Sequence, residues 1–417
     1  MNADARSERG VTAQNDQESA VLVVWRMPRS LRLALAALAV LFVLGAIAVA
    51  AGYLAVADER SRLVSLPSPT GPYAVGRASF DWVDQSREEP LGKPGDKREL
   101  LAWVWYPAED TPGATLAPYL PTGLVSLREG SPWSLVYQRA DTVRVHAVAD
   151  APVAAGGGRF PVLVFMPGMG HSALDYTSVV EDLASRGFVV VGVDPTYSTD
   201  VAFNDGRLVP SSIDAREPSA QDGLNALVAS WALDARFAIS QLEALDASSR
   251  DRLAGRLDLA RIGLFGHSFG GAASLLACSE DERCKAVADI DGSPYGRVAE
   301  IGLGQPALFV MSEDYGTDCL DCASTASDIG AIRQRNPADS LLLVIAGARH
   351  GNYQDWAVTF APAPMLLGAM GTIDGTRGLR ITGDYLAAFF GRHLAGSDEL
   401  LLRGPSPAYP EARFIGG

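Results

Sequence analysis

Apolar residues in this chain fall in short unbroken blocks, at 161–165, 188–193, 262–265, 286–290, 307–311 and 341–345. Between and after them lie stretches of helical period, at 178–186, 226–245 and 385–394. A continuous apolar block suits a strand buried on both faces, and its alternation with helices predicts a mostly parallel central sheet with helices on both faces. Upstream, Ala78, Phe80 and Trp82, then Leu100, Val104 and Tyr106, mark two strand-like runs joined by a polar turn with Gly and Pro. These predict an antiparallel hairpin at a sheet edge. Residues 107–158 show no clear period and are rich in Pro and Gly, with Trp133, Leu135 and Tyr137 interspersed. A segment of that length reads as a lid or pocket-wall insertion within a domain covering 71–417.

The N-terminal pattern is of another kind. Residues 33–57 contain no charged side chain, and as a helix they would extend about 37 Å, enough for a bilayer core of about 30 Å. Arg26, Arg29 and Arg32 precede the run, and Asp58 and Glu59 follow it. The positive-inside rule then leaves 1–32 as a cytoplasmic polar tail, makes 33–57 a signal-anchor, 58–70 a linker, and sends the remainder outward. The expected location is the cell membrane, single-pass, with the domain 71–417 extracytoplasmic. Cleavage and secretion is the alternative, because Ala55-Val56-Ala57 has the small-x-small form of a cleavage site.

Composition adds two exclusions. Hydrophobic residues at 48% with charged residues at 20% describe an ordered globular chain. The net charge of −14 and the lack of a basic run argue against nucleic acid as a partner. Four cysteines, Cys278, Cys284, Cys319 and Cys322, permit three pairings. Their closeness in two pairs, with an extracytoplasmic location, favours two local disulfides over a four-thiolate metal site. No cofactor or metal is expected, and oligomeric state is left open.

Chemistry concentrates at Gly266-His267-Ser268-Phe269-Gly270-Gly271, between the block 262–265 and the helix-forming run 272–277. Strand, Gly-x-Ser-x-Gly, helix is the layout of a nucleophile elbow, with a serine on a sharp turn. Side chains at Gly266 and Gly270 would crowd the converging strand and helix, and the serine is expected in a strained backbone conformation. A serine hydroxyl needs a histidine to take its proton, and that histidine needs an acid to fix its tautomer. In chain order the acid and then the histidine follow the serine. Only His350 and His393 do so. His350 lies in the turn after block 341–345, whereas His393 sits beside Arg392 on the closing helix and reads as a helix-end residue.

The acid has two candidates. Asp291 ends the block after the elbow and Asp314 the one after that. Alternation puts Asp289 and Asp291 on one face, and Asp291 is nearer the strand end where open α/β sheets place their sites. Asp314 occupies the strand position more commonly used for the acid across the wider fold. Backbone donors for an oxyanion are expected at Phe269, the residue after the serine, and at Met169, between Gly168 and Gly170 in the loop after block 161–165.

Gly71-Pro72-Tyr73-Ala74-Val75-Gly76, Trp103 with Tyr106-Pro107, Pro167-Gly168-Met169-Gly170, Leu183-Ala184-Ser185-Arg186-Gly187-Phe188, the elbow, and His350-Gly351-Asn352-Tyr353-Gln354-Asp355 occur in that order. With this set the chain resembles the α/β-hydrolases of the plasma platelet-activating-factor acetylhydrolase type over most of 71–357. The resemblance implies the α/β-hydrolase fold, assigns the acid to Asp291 with Asp314 as alternative, and implies short or oxidised acyl esters, of phospholipid type or small. The family usually has His-Gly-x-Gly in its oxyanion loop, where this chain has Pro167. The expected function is therefore serine carboxylic-ester hydrolysis of a small-molecule or lipid ester. An acyltransferase or a polyester hydrolase would use the same residues, and a third reading is an inactive binding module on this fold.

Overall fold

β-branched and aromatic residues dominate the apolar blocks, and in the computed structural model each block is a strand. The structure describes residues 28–130, 134, 138–212, 221–317, 322–336, 339–359 and 368–416. The chain separates into two compact units, Met1–Glu59 and Arg60–Gly417. A helix, Arg29–Arg60, of which all but the last residue belongs to the first unit, contains the predicted 33–57 run; it is long and apolar enough to cross a membrane, and none of its residues is buried. The tail residues 1–27 lie outside the described residues.

The second unit contains, in chain order, β1 (Val64–Ser65), β2 (Ala74–Glu88), β3 (Lys97–Ala108), β4 (Val143–Arg144), β5 (Val148–Ala149), β6 (Phe160–Met166) and β7 (Val189–Pro195). It continues with β8 (Val201–Ala202), β9 (Leu208–Val209), β10 (Leu257–His267), β11 (Cys284–Ile290), β12 (Ala307–Met311), β13 (Ser340–Ile345) and β14 (Ala412–Phe414). Ten of these form one sheet in the order β14-β13-β12-β11-β10-β6-β7-β3-β2-β5. The six strands from β13 to β7 run parallel. β14 and β3 flank them antiparallel. β2 and β3 pair as the expected antiparallel hairpin, Ala74 opposite Ala108 and Asp84 opposite Arg98. Two residues of β5 add a further parallel strand outside it.

Each sheet face has its own apolar core. Helices Thr177–Ser185 and Gly375–Phe390 cover one face, with Val180, Leu183, Leu386 and Phe390 buried against Phe165 and Phe265. Helices Gln221–Ala247, Phe269–Glu280 and Cys322–Arg335 cover the other, with Trp231, Ile239, Leu275 and Ile332 buried against Val164 and Leu264. The closing helix begins ten residues before the predicted 385, where Asp374 caps it by accepting from the Arg377 N–H. Gly375, Gly378 and Gly383 dilute the apolar period there and hid the start.

The segment 107–158 carries core residues. Ala117, Tyr119, Leu124, Val145 and Ala147 belong to the same core as Phe165, and Glu181 accepts from the backbone N–H groups of His146 and Ala147. Trp133, Leu135 and Tyr137 lie outside the described residues. Within the stretch read as a linker, β1 pairs with β4 and Leu66 is buried. Cys278 and Cys284 form a disulfide from the end of helix Phe269–Glu280 to the start of β11. Cys319 and the Cys322 side chain lie outside the described residues.

Candidate active site

Three loops at the C-terminal ends of β10, β11 and β13 bring Ser268, Asp291 and His350 together. Such a position is where an open parallel sheet offers a crevice. β10 ends at His267, and helix Phe269–Glu280 begins one residue after Ser268. Ser268 alone makes the turn, with φ 57° and ψ −126°, a conformation whose cost is on the order of 1–3 kcal/mol. Its N–H donates to the Ile290 carbonyl at 2.8 Å, pinning the turn to β11. A Cβ at Gly266 would lie 2.2 Å from the Gly270 carbonyl oxygen, and one at Gly270 would lie 2.1 Å from that of Met166. The elbow therefore closes only with glycine at both places.

His350 Nε2 stands 2.9 Å from Ser268 Oγ, and its Nδ1 stands 2.7 Å from Asp291 Oδ2. The carboxylate can only accept, so Nδ1 carries the proton and Nε2 is free to accept from the serine hydroxyl. Asp291 also has a positive φ, 52°. Its N–H donates to Val310, and its carboxylate accepts from the Ser312 N–H at 2.8 Å and the Ser312 hydroxyl at 2.7 Å.

Asp291 lies one residue beyond the end of β11, with its backbone in the left-handed region. Asp289 is buried and accepts from the Gly292 N–H. Asp314 makes no hydrogen bond to His350 among the described residues, although its charge acts on that ring. His393 packs on Phe389, 3.9 Å from Asp339, and takes no part.

The His350 side chain is half exposed, yet the protein around the ring still desolvates it and opposes its charge; the hydrogen bond and the charge of Asp291 outweigh this, and the His350 pKa lies above the ordinary histidine value. Burial likewise pushes the Asp291 carboxyl up, and the His350 and Ser312 hydrogen bonds more than reverse this, leaving it below the usual range. Asp291 thus stabilises the imidazolium that forms when the histidine accepts a proton.

The loop after β6 lies beside this group. As the first residue of its helix, Phe269 has no acceptor one turn back for its N–H. In the loop, Gly168 N–H donates to Tyr176 Oη, Gly170 N–H to the Ser198 carbonyl, and His171 N–H to the Gly168 carbonyl. No protein acceptor meets the Met169 N–H among the described residues. Ser172 and Asp175 close a reciprocal cap over the next turn, and Asp194 holds it by accepting from Ser172 and from the Ala173 N–H. His171 packs edge-on against Trp356, and burial pushes its pKa down to about 4. Among the described residues, no cluster of three or more His, Cys, Asp or Glu could hold a metal ion.

Several participants escape sequence reasoning. Ser312 is a serine after a strand, and Tyr176 and His267 are an aromatic and a motif filler. Their partners come from segments remote in the chain, and no local pattern marks them.

Against this geometry, comparisons with known proteins agree on one chemistry. The family model described as "Platelet-activating factor acetylhydrolase, isoform II" matches residues 59–199 and 240–400. The chain is similar to a "Probable 1-alkyl-2-acetylglycerophosphocholine esterase" of Arthroderma benhamiae, 27% identical over 379 residues, covering 84% of this chain and 93% of that protein. It is similar to a platelet-activating factor acetylhydrolase of Cavia porcellus, 25% identical, covering 79% of this chain and 78% of the other. Among solved structures it is similar to a ferulic acid esterase from Streptomyces cinnamoneus, with TM-score 0.73, 29% identity, and coverage of 85% of this chain and 99% of the other.

Proposed function

We propose, from the premise that this chain belongs to the platelet-activating factor acetylhydrolase, isoform II, family, that it hydrolyses short-chain acyl esters through an acyl-enzyme on Ser268. The protein is an ester hydrolase of the α/β-hydrolase fold. The observation that carries the assignment of residues is the continuous pair of contacts Asp291 Oδ2 to His350 Nδ1 and His350 Nε2 to Ser268 Oγ.

In the first half-reaction the Ser268 oxygen attacks the ester carbonyl while its proton passes to His350 Nε2. The carbonyl oxygen becomes an oxyanion, met by the backbone N–H groups of Met169 and Phe269. As the C–O bond to the leaving group breaks, His350 returns the proton to the departing alcohol. Water then enters, gives a proton to the same nitrogen and attacks the acyl carbon. Collapse releases the acid and restores the Ser268 hydroxyl. Asp291 holds the tautomer and stabilises the cation throughout. Neither a metal nor an organic cofactor is assigned a role.

For the substrate, the names of the relatives support an acetyl ester of the alkyl-acetylglycerophosphocholine kind. A feruloyl ester is the second reading, favoured by the likeness to a ferulic acid esterase across nearly its whole length. The helix Arg29–Arg60 supports placement at a membrane as a signal-anchor, with 1–32 cytoplasmic and the hydrolase, including the 107–158 insertion, outside. The Cys278–Cys284 disulfide agrees with an oxidising compartment.

The test is a product assay over nitrophenyl esters of graded acyl length, a 2-acetyl phospholipid and a ferulate ester. The acetyl substrates turn over fastest, and Ser268→Ala loses at least roughly a thousandfold. Retained activity in Ser268→Ala would refute the mechanism, and a preference for ferulate would move the substrate to the second reading.

A further inference from the structure

His267, directly before Ser268 in the elbow, is buried and makes two directed hydrogen bonds that the reaction itself does not use. Its Nε2 lies 3.1 Å from the backbone carbonyl oxygen of His350. Its Nδ1 lies 2.8 Å from Tyr176 Oη, and that hydroxyl accepts from the Gly168 N–H at 3.1 Å. The donor directions follow from the end groups. A carbonyl can only accept, so Nε2 carries the His267 proton. The backbone N–H of Gly168 can only donate, so the Tyr176 hydroxyl spends its own proton on Nδ1. One arrangement satisfies every atom: Gly168 N–H to Tyr176 O–H to His267, and His267 N–H to the His350 carbonyl.

This chain of bonds joins three segments distant in sequence. Gly168 precedes Met169 in the proposed oxyanion loop, His267 precedes the nucleophile, and His350 is the base. The rings of His267 and His350 lie 4.5 Å apart. The His350 side chain is 54% exposed, so packing on its outer side does little to hold it. Its inner side is held by Asp291 through the ring and by His267 through the main chain. Burial keeps His267 neutral, as the donor pattern demands. A charged ring at that distance would oppose the cation that forms on His350.

We propose that His267 is a positioning residue: with its tautomer set by Tyr176, it fixes the backbone of His350 and couples the proposed oxyanion loop to the base. The proposal rests on the assignment of Ser268 and His350 given above. A displacement of the base by about 1 Å is enough to slow an acyl-transfer step about 100-fold, so the expected effect falls on kcat and leaves KM nearly alone.

The test compares His267→Phe, His267→Gln, Tyr176→Phe and Ser268→Ala in the full chain, using nitrophenyl acetate kinetics and the rate and end-point of fluorophosphonate labelling. His267→Phe keeps the ring volume and loses both bonds; it is expected to lower kcat and the labelling rate about 100-fold. Its labelling still proceeds to one probe per chain, which counts folded protein. His267→Gln, which can reach the His350 carbonyl with its amide N–H, recovers at least about tenfold of that loss. Tyr176→Phe lowers kcat about tenfold without changing the end-point. Parental kcat in labelled His267→Phe would overturn the proposal, as would equal loss in His267→Gln. If His267→Phe yields no labelled protein, parental kcat in Tyr176→Phe overturns it. Activity remaining in Ser268→Ala would instead refute the underlying mechanism, so the two failures are distinct.

Discussion

Asp291 and Asp314 follow neighbouring strands, and local sequence offers no means of separating them. The resemblance to a family favoured Asp291, and the structure gives the physical reason for its contact with His350. Asp291, one residue past the end of β11, turns with a positive φ of 52°, and Ser312 presents two donors that hold its carboxylate. No propensity in the sequence reports that turn.

The same contact sets a pH dependence. His350 must be neutral to accept the serine proton, and its pKa is raised above 6.5 because Asp291 outweighs the opposing effect of burial. Activity therefore falls as pH drops through a value above 6.5, and at higher pH the base is fully available. Asp291→Asn removes the carboxylate, and the acid limb of kcat/KM moves to lower pH while kcat falls by about 10⁴-fold. Asp314→Asn loses less than about tenfold, since only its distant charge is removed. A pH–rate profile of the three proteins checks this; a large loss in Asp314→Asn alone would reassign the acid.

Among elements, those with strong periodicity were legible and those stabilised by tertiary contacts were not. The blocks at 161–165 and 307–311 are strands because their apolar residues are buried on both faces. The insertion gave no such signal. Its core residues Tyr119, Leu124 and Val145 are scattered through irregular backbone, and helix Thr122–Glu129 buries only Leu124. Arg128 from that helix nonetheless reaches Asp175 beside the proposed oxyanion loop, at 2.7 Å.

The helix after the elbow is tied to β11 by the Cys278–Cys284 bridge, closing a loop of sequence separation 6. Loop-closure entropy assigns such a short bridge about 2 kcal/mol. Replacing both cysteines by alanine should lower the denaturant midpoint accordingly and leave kcat unchanged, because the bridge lies at the far end of the helix from Ser268. An unchanged midpoint under non-reducing conditions would contradict this contribution.

For the molecule as a whole, the order of motifs in the sequence matches the structure in position: the loop 167–170, Ser268, Asp291 and His350 each follow a parallel strand of one mostly parallel sheet. What lay beyond reach was the network beneath these residues, in which Tyr176, His267 and Ser312 meet partners from other segments. Such meetings depend on how strands stack laterally, which no window of sequence encodes. Both apolar cores draw on residues from Leu66 onward. A chain beginning at Arg60 should therefore fold and keep kcat on nitrophenyl acetate within about twofold, while the full chain sediments with membranes. An insoluble or inactive product from the shortened chain would show that the hydrolase depends on its N-terminal unit.

Acylation of Ser268 is checked by trapping the acyl-enzyme. The protein is mixed with excess nitrophenyl acetate, quenched in acid during turnover, digested and mapped by mass spectrometry. One acetyl group per chain is expected, located on Ser268 and absent from Ser268→Ala. An acetyl group on another residue, or turnover by Ser268→Ala at the parental rate, would contradict it.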